Sequence, residues 1–236
     1  MFRFKQFSVD DSRCAMKVGT DGVLLGAWAG QGYEDSFSEV LDIGTGSGLI
    51  ALMIAQRCRK AHICGVEIDK EAAEQAAENF INSPWQDRLT AIQMSLQDYV
   101  KQERRFDVIV SNPPYFMNSL KTPDYKRTLA RHDAGLSYEE LIHSVAQLLL
   151  PAGLFATILP ANEGENIINL CRSVGLILKR VCYVHGAQGK QAKRVLLEFF
   201  NKPKSVIPIE SNTLVLESAP NVRSVEYAAL TRDFYL

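Results

Sequence analysis

The chain has 236 residues, of which 47% are hydrophobic, and a formal net charge of −1. That length and composition are typical of one large soluble α/β domain, and the charge argues against non-specific coating of nucleic acid. No apolar run approaches the roughly 18 residues of a membrane span, and the polar N-terminus lacks the apolar core of a signal peptide, so we expect a cytoplasmic protein.

The cysteines and histidines show no metal-binding pattern. The five cysteines are scattered and form no C-x-x-C pair, and the four histidines are equally dispersed. Buried thiols in a reducing compartment are therefore expected, with neither a disulfide nor a metal site.

The first 39 residues precede the first predicted core strand. Thr20 or Asp21 can cap a helix whose apolar face includes Leu24 and Trp28. The loop at residues 17–22 either packs with this helix on the sheet edge or lines a cofactor pocket, and the sequence leaves both open.

Residues 40–52, VLDIGTGSGLIAL, predict a buried strand, a tight turn and the start of a helix. Gly44, Gly46 and Gly48 stand at alternate positions, where side chains would keep a ligand away from the backbone. This G-x-G-x-G spacing differs from the G-x-G-x-x-G that seats a dinucleotide. The next strand, residues 63–67, ends in Glu67, which can accept hydrogen bonds from two ribose hydroxyls. A nucleoside ligand without phosphate is therefore predicted.

Strands and helices then alternate until the last quarter of the chain. Helices are predicted over residues 69–81 (capped by Asp69), 96–103, 138–150 and 166–174, and strands over 89–94, 106–111 and 153–159. Strand-like residues 176–185 and 194–200 are joined by only eight residues, too few for a crossover helix, so they form an antiparallel hairpin. We expect a parallel sheet closed by this edge hairpin, a second small hairpin over 206–217, and a helical turn within 225–235.

The strand at residues 106–111 runs directly into Asn112, Pro113, Pro114 and Tyr115. Because prolines lack an N–H and restrict their neighbours, the Asn112 side chain and the Pro113 carbonyl become fixed acceptors. The ring of Tyr115 or Phe116 can stack on a flat base, a contact worth roughly 1–3 kcal/mol. The pattern predicts a site for a planar group that carries an exocyclic amine.

These acceptors favour methyl transfer to that amine. Accepting both of its hydrogens localises the nitrogen lone pair and stabilises the positive charge that develops during attack on a methyl group. No strong general base is needed. A base within folded RNA would first have to be flipped out.

With both motifs placed, the chain resembles class I S-adenosylmethionine-dependent methyltransferases that modify amino groups and carry Asn-Pro-Pro-Tyr. It is similar over nearly its whole length to the bacterial tRNA1(Val) adenine-N6 methyltransferases, which modify the adenosine on the 3′ side of the anticodon. The matching stretches are MKVGTDG (residues 16–22), LDIG (41–44), Asn79 with SPW (83–85), SNPPY (111–115), RVLL (194–197) and YAALTRDFYL (227–236). Residues 17–22 and the tail are the specific part, since the wider class shares the other motifs.

The resemblance implies a Rossmann-like, seven-stranded, mostly parallel sheet with the antiparallel edge hairpin and helices on both faces. It divides one methyltransferase domain into an N-terminal extension (1–39), a catalytic core (40–202) and a C-terminal extension (203–236). The implied cofactor is S-adenosylmethionine and the implied partner is a tRNA anticodon loop.

The resemblance also assigns roles to residues. The cofactor would contact Lys17, Thr20, Asp42, Gly44, Gly46, Gly48, Glu67, Ser95, Leu96 and Asn112. Asn112, Pro113, Pro114 and Tyr115 would take the target adenine. The chain departs from the pattern at Ser95, where similar enzymes often have an acid for the cofactor's adenine amine, and either Ser95 Oγ or Asp98 would substitute.

Two basic segments suit an RNA substrate. Residues 117–131 hold four bases and one acid, and residues 179–194 hold five bases and no acid. Both are expected to flank the pocket and to contact phosphates. The bases assigned to the substrate, with Phe116, are Lys121, Lys126, Arg127, Arg131, Lys190, Lys193 and Arg194. Solvated loops are the alternative.

Three other functions compete with this prediction. A glutamine-N5 methyltransferase of peptide release factors would present the same two N–H groups to Asn112, but similar enzymes carry a larger N-terminal helical domain. A DNA adenine methyltransferase would need an inserted recognition domain, which is not evident. A non-catalytic RNA-binding relic disagrees with the intact Glu67 and Asn112.

Overall fold

A computed structural model describes residues 1–114, 136–202 and 208–236. Within those ranges the helices are α1 (Thr20–Trp28), α2 (Leu49–Arg57), α3 (Lys70–Ile81), α4 (Leu96–Val100), α5 (Tyr138–Leu148), α6 (Gly164–Ser173) and α7 (Val225–Thr231). The strands are β1 (Phe2–Arg3), β2 (Ser8–Val9), β3 (Glu39–Ile43), β4 (His62–Glu67), β5 (Leu89–Gln93), β6 (Phe106–Ser111), β7 (Leu149–Pro160), β8 (Leu176–Ala187), β9 (Ala192–Asn201), β10 (Glu210–Ala219) and β11 (Val222–Arg223).

The described strands form a large mixed sheet and a small hairpin. The large sheet has the order β11-β10-β8-β9-β7-β6-β3-β4-β5, and β1 pairs with β2. Strands β5, β4, β3, β6 and β7 run parallel, whereas β9 is antiparallel to both β7 and β8. Helices α1, α2 and α3 share one hydrophobic core and α4, α5 and α6 another, so helices cover both faces as predicted.

Two details of the predicted sheet are wrong. Among the described residues the sheet has nine strands rather than seven, and the β8–β9 hairpin is not at its edge. Strand β10 pairs in parallel with β8, from Glu210 opposite Arg180 to Glu217 opposite Ala187, and β11 then turns back on β10. The alternation of β10 is weak, because Leu214 is its one fully buried residue. Residues 206–207 of the expected second hairpin lie outside the described ranges.

Of the two predicted helix caps, one is confirmed and one is wrong. Asp69 caps α3 as predicted, since its Oδ1 accepts from Ala72 N at 2.8 Å. The expected cap of α1 is wrong, because the N-cap position is Gly19 and carries no side-chain hydrogen bond. Asp21 instead pairs with Arg194, whose Nε lies 2.8 Å from Asp21 Oδ2.

Close packing of α1 against α2 depends on glycine. A Cβ at Gly26 would lie 2.7 Å from Met53 Sδ, and one at Gly22 would lie 3.0 Å from Leu49 Cδ2. Both contacts are closer than carbon normally tolerates, so the two glycines let α1 lie directly on α2. This packing places the start of α1 beside the start of α2.

A buried ionic cluster fixes the other end of α1. Glu198 is fully buried and accepts from Lys179 Nζ at 3.1 Å, Arg180 Nη2 at 3.0 Å and Gly30 N at 2.8 Å. The Arg180 guanidinium also lies 3.8 Å from the centroid of a Trp28 ring. A register shift in β8 between Leu178 and Arg180 lets these neighbouring bases reach one carboxylate.

This cluster corrects the predicted RNA-facing segment at residues 179–194. Its first two bases are buried within the sheet near the amino end of β8, where they share the Glu198 carboxylate. Of the five bases in this segment, Lys190 and Lys193 near the β8–β9 turn are exposed.

All five cysteines are free and buried, which confirms that they are core thiols. In the part of the chain that the structure describes, no helix is both long and apolar enough to cross a bilayer.

Candidate active site

The glycine turn, residues 44–48, stands at the carboxyl end of β3. Gly44, Gly46 and Gly48 have φ of +69°, +55° and +81°. A side chain at Gly48 would also collide with Phe80, whose Cε1 would be 2.4 Å from the new Cβ. No described atom comes within 4 Å of a Cβ built on Gly44 or Gly46, so their backbone faces open space. The turn therefore leaves backbone uncovered at the carboxyl end of β3, the edge at which parallel α/β sheets bind ligands.

Asp42 lies fully buried beneath the glycine turn. Its Oδ2 accepts from Thr45 Oγ1 at 2.7 Å, which ties the carboxylate to the turn. Its Oδ1 is buried and makes no hydrogen bond to any described residue. Burial raises the pKa of Asp42 to about 7, and the hydrogen bond from Thr45 opposes that rise.

The Glu67 carboxylate lies beside the same turn. Its Oε2 accepts from Gly46 N at 2.9 Å, and its Oε1 accepts from Asp69 N at 3.0 Å. A carboxylate has about four acceptor positions, so two remain for a ligand. The carboxylate is thus fixed beside the open space at Gly44 and Gly46, here called the crevice, with capacity for two hydroxyl groups.

Asn112 stands on the neighbouring strand at the same sheet edge. Ser111 pairs with Ile43, so Asn112 lies level with Gly44. Its Oδ1 is buried with no hydrogen-bond partner in the described ranges, and its Nδ2 faces Met16 Sδ at 3.8 Å. A buried acceptor without a partner is costly, which makes Asn112 Oδ1 a candidate for binding a ligand.

Comparison with known proteins decides the family. The family model described as "Methyltransferase small domain" matches residues 29–136. The chain is 50% identical to the tRNA1(Val) (adenine(37)-N6)-methyltransferase of Phocaeicola vulgatus, and the match covers 100% of this chain and 97% of that protein. It is 42% identical to the protein of the same name from Tolumonas auensis, over 100% of this chain and 96% of that one. The chain belongs to the tRNA1(Val) (adenine(37)-N6)-methyltransferase family.

Solved structures agree on the fold. Atu636 of Agrobacterium tumefaciens, described as a predicted O-methyltransferase, superposes with a TM-score of 0.70 at 17% identity, covering 91% of this chain and 96% of that one. A type I restriction-modification methyltransferase subunit from Streptococcus thermophilus gives a TM-score of 0.63 at 16% identity, over 93% of this chain and 52% of that one. The Rossmann-like methyltransferase fold is therefore confirmed.

At the next strand of this methyltransferase, Ser95 and Asp98 lie together. Met94 N donates to Glu67 O at 2.9 Å, so Ser95 follows close to the crevice. Ser95 is the N-cap of α4, and its Oγ donates to Asp98 Oδ2 at 2.8 Å. The hydrogen bond from Lys101, followed by that from Ser95, lowers the pKa of Asp98. Both candidates for the cofactor's adenine amine are thus present as one pair, whereas Leu96 is buried in the core.

Lys17 and Thr20 differ in what they contact. Lys17 Nζ donates to Asp11 O at 2.7 Å and to Ser12 O at 3.1 Å, so this amine bonds to backbone carbonyls of the loop that contains it. Thr20 is the exposed first residue of α1.

The sheet edge also carries part of the expected RNA surface of the methyltransferase. Lys190 and Lys193 are exposed at the β8–β9 turn, on the edge where β7 ends, whereas Arg194 is half-buried and paired with Asp21. Pro113 is buried and Pro114 exposed. The predictions for Tyr115, Phe116, Lys121, Lys126, Arg127 and Arg131 lie outside the described residues.

Sequence reasoning missed the contact of Met16 with Asn112 and the hydrogen bonds of the Asn79 side chain to Asp10 and Ser47. Gln75 and Asn79 are buried polar residues four apart on the apolar face of α3, and that spacing was the available signal. Among described residues no cluster of three or more His, Cys, Asp or Glu side chains could hold a metal ion.

The raised pKa of Asp42 predicts a pH-dependent stability. The folded state binds this proton more tightly than the unfolded chain, where an aspartate titrates at about 3.9. Its contribution to stability is therefore full below about pH 4 and is lost as the pH rises through about 7. We expect the free energy of unfolding of the wild type, minus that of Asp42→Asn, to fall by about 2–3 kcal/mol between pH 5 and 8 in urea titrations.

Asp87→Asn, which changes an exposed aspartate outside the site, serves as the control and should follow the wild type. If the free energies of unfolding of the wild type and Asp42→Asn changed in parallel with pH, the raised pKa of Asp42 would be contradicted.

Proposed function

We propose that this protein transfers a methyl group from S-adenosylmethionine to N6 of adenosine 37 in tRNA1(Val), the nucleotide beside the anticodon. The unpartnered acceptor Asn112 Oδ1, one strand away from an open glycine turn, carries the proposal. The full-length similarity to relatives named for this reaction supports the choice of substrate.

The crevice fits S-adenosylmethionine, which supplies an electrophilic methyl group when bound. The exposed backbone at Gly44 and Gly46, with the turn completed at Gly48, leaves room for the methionine moiety. Two free acceptor positions on Glu67 match the two ribose hydroxyls. Asp42 supports the turn, and its unpartnered Oδ1 has the chemistry to accept from an amino group.

The remaining cofactor contacts follow from position. The Ser95 and Asp98 pair stands beyond Glu67, where the cofactor's adenine would lie. Leu96 is buried in the core beneath that pair, and Lys17 and Thr20 would contact the cofactor from the loop before α1 and from its first residue.

The target amine would be held by acceptors rather than by a base. Asn112 Oδ1 accepts one N–H of the adenine amine and the Pro113 carbonyl accepts the other, which localises the lone pair on N6. Pro114 keeps this segment rigid, and Tyr115 or Phe116 stacks on the base. Holding the nitrogen about 3–3.5 Å from the methyl carbon supplies much of the remaining rate enhancement over the uncatalysed reaction.

The RNA would approach along the carboxyl edge of the sheet. Lys190 and Lys193 stand at this edge. Adenosine 37 would have to be flipped out of the anticodon loop to enter the crevice. A tRNA substrate also supports a cytoplasmic location.

A release-factor glutamine would also offer two N–H groups to Asn112. No observation specific to this chain favours that substrate, and the relatives cited above carry the tRNA name over their full length. The flat base of adenosine also suits the stacking ring that follows the prolines.

The proposal predicts the outcome of a direct assay. Labelled S-adenosylmethionine and tRNA from a strain lacking the gene should yield N6-methyladenosine at position 37 of tRNA1(Val). Asn112→Ala should lower kcat by about 100-fold, because it removes an interaction that strengthens in the transition state. The Kd for S-adenosylhomocysteine should stay near the wild-type value, measured by calorimetry.

The control is Asn82→Ala, which removes an exposed amide at the end of α3. Transfer of label to a release factor instead of tRNA would contradict the substrate, and normal turnover of Asn112→Ala would remove Asn112 from the mechanism.

The RNA surface predicts a change in salt dependence. Replacing Lys190 and Lys193 by Ala should weaken tRNA binding and reduce the slope of log K against log salt by about one for each lysine. Arg194 is left intact because it is paired with Asp21. Filter binding over a range of salt concentrations measures the slope.

Arg59→Ala with Lys60→Ala is the matched control, since these exposed bases precede β4 at the opposite sheet edge. An unchanged slope in the Lys190 and Lys193 variant would show that this turn does not contact phosphates.

A further inference from the structure

The Asn79 and SPW motif of residues 79–85 contributes no residue to the crevice described above. Asn79 lies on the buried face of α3 and is only 5% exposed, one turn after Gln75, which is 1% exposed. Buried amides are retained where their hydrogen bonds hold other segments together. Their partners therefore reveal what the motif does.

Asn79 joins the glycine turn to the N-terminal segment. Its Nδ2 donates to Ser47 O at 2.8 Å and to Asp10 O at 2.7 Å, while its Oδ1 accepts from Asp10 N at 3.0 Å. Both donors and the acceptor are used. One side chain thus links the wall of the cofactor crevice to residue 10.

Residues 10–19, here called the strap, are internally bonded beyond that point. Lys17 Nζ donates to Asp11 O, and Val18 N donates to Asp11 Oδ2 at 2.8 Å. Gln75 Oε1 accepts from Ser12 Oγ and from Arg13 Nε, both at 3.2 Å. The strap is therefore a folded unit fixed to α3 at two positions one turn apart.

The far end of the strap reaches the target side of the crevice. Met16 is 48% exposed, and its Sδ lies 3.8 Å from Asn112 Nδ2. Cys14, midway along the strap, is buried, which raises the pKa of its thiol to about 11. The strap thus runs from Asn79 on α3 to the Asn112 amide.

Aromatic packing holds the residues that precede the strap. Phe7 meets Trp85 edge to face with ring centroids 5.7 Å apart, and Phe4 stacks on Phe7 at 4.7 Å. Phe4 also stacks on Tyr235 of the tail at 6.0 Å. The SPW motif and the C-terminal tail therefore anchor the start of the strap.

We propose that Asn79 is a positioning residue that couples the glycine turn to the strap, and that the strap in turn orients the Asn112 amide through Met16. The inference rests on the proposed methyl transfer, since it assigns Asn112 Oδ1 to the target amine. A thioether is a weak acceptor, so it favours Nδ2 on its own side and leaves Oδ1 for the substrate.

Coupling of this kind is reciprocal. A ligand that binds the glycine turn should stabilise the strap, and a variant that loosens the strap should bind that ligand less tightly. Asn79→Asp tests the link, because aspartate keeps the shape and the acceptor for Asp10 N but loses both donated bonds. Asn82→Asp is the matched control: the same change, three residues on, in an exposed amide that donates to Glu78 O.

Hydrogen exchange with mass spectrometry reads the strap directly. Loss of the two bonds should make peptides within residues 10–19 exchange about tenfold faster in Asn79→Asp. Saturating S-adenosylhomocysteine should slow exchange of the strap in the wild type and in Asn82→Asp, but much less in Asn79→Asp. Wild-type exchange and protection in Asn79→Asp would overturn the inference.

A second variant keeps the inference testable if Asn79→Asp does not fold. Met16→Leu preserves size but removes the sulfur acceptor, so kcat should fall about tenfold while KM for S-adenosylmethionine stays unchanged. A wild-type kcat would overturn the role of Met16. Wild-type enzyme that neither binds S-adenosylhomocysteine nor methylates tRNA would instead refute the proposed function, which is a distinguishable result.

Discussion

The register between β3 and β6, which sets Ile43 opposite Ser111, is the constraint on which the functional site depends. It brings Gly44 and Asn112 to the same level of one sheet edge, while the pairing of β3 with β4 brings Glu67 to that level from the other side. A slip of one residue would turn each side chain to the opposite face and separate these groups. Donor site and acceptor site are therefore positioned by backbone hydrogen bonds.

The sequence was sufficient wherever the signal is local. The glycine turn, the Asp69 cap, Glu67 at a strand end and Asn112 before two prolines each follow from neighbouring residues, and the structure has them at the predicted positions. Parallel strands must bring such ends to one edge, so the general location of the site was also predictable.

The errors arise where distant contacts decide. Strand β10 joins the main sheet by pairing with the open edge of β8. Apolar and polar residues alternate only weakly along β10, so its sequence did not predict this pairing. The sequence predicts Lys179 and Arg180 as surface bases, but both are buried and bind a glutamate that lies nineteen and eighteen residues away. Asp21 pairs with Arg194 across 173 residues instead of capping its own helix. Asn79 likewise bonds to Asp10, a partner 69 residues away that its spacing from Gln75 on α3 does not specify.

The most direct measurement of the central claim is a crystal structure with S-adenosylhomocysteine and the anticodon stem-loop of tRNA1(Val). The account predicts the homocysteine sulfur over the glycine turn, with adenosine 37 flipped so that its N6 lies within about 3 Å of both Asn112 Oδ1 and the Pro113 carbonyl oxygen. An adenine bound away from Asn112, or a sulfur separated from N6 by protein, would contradict it.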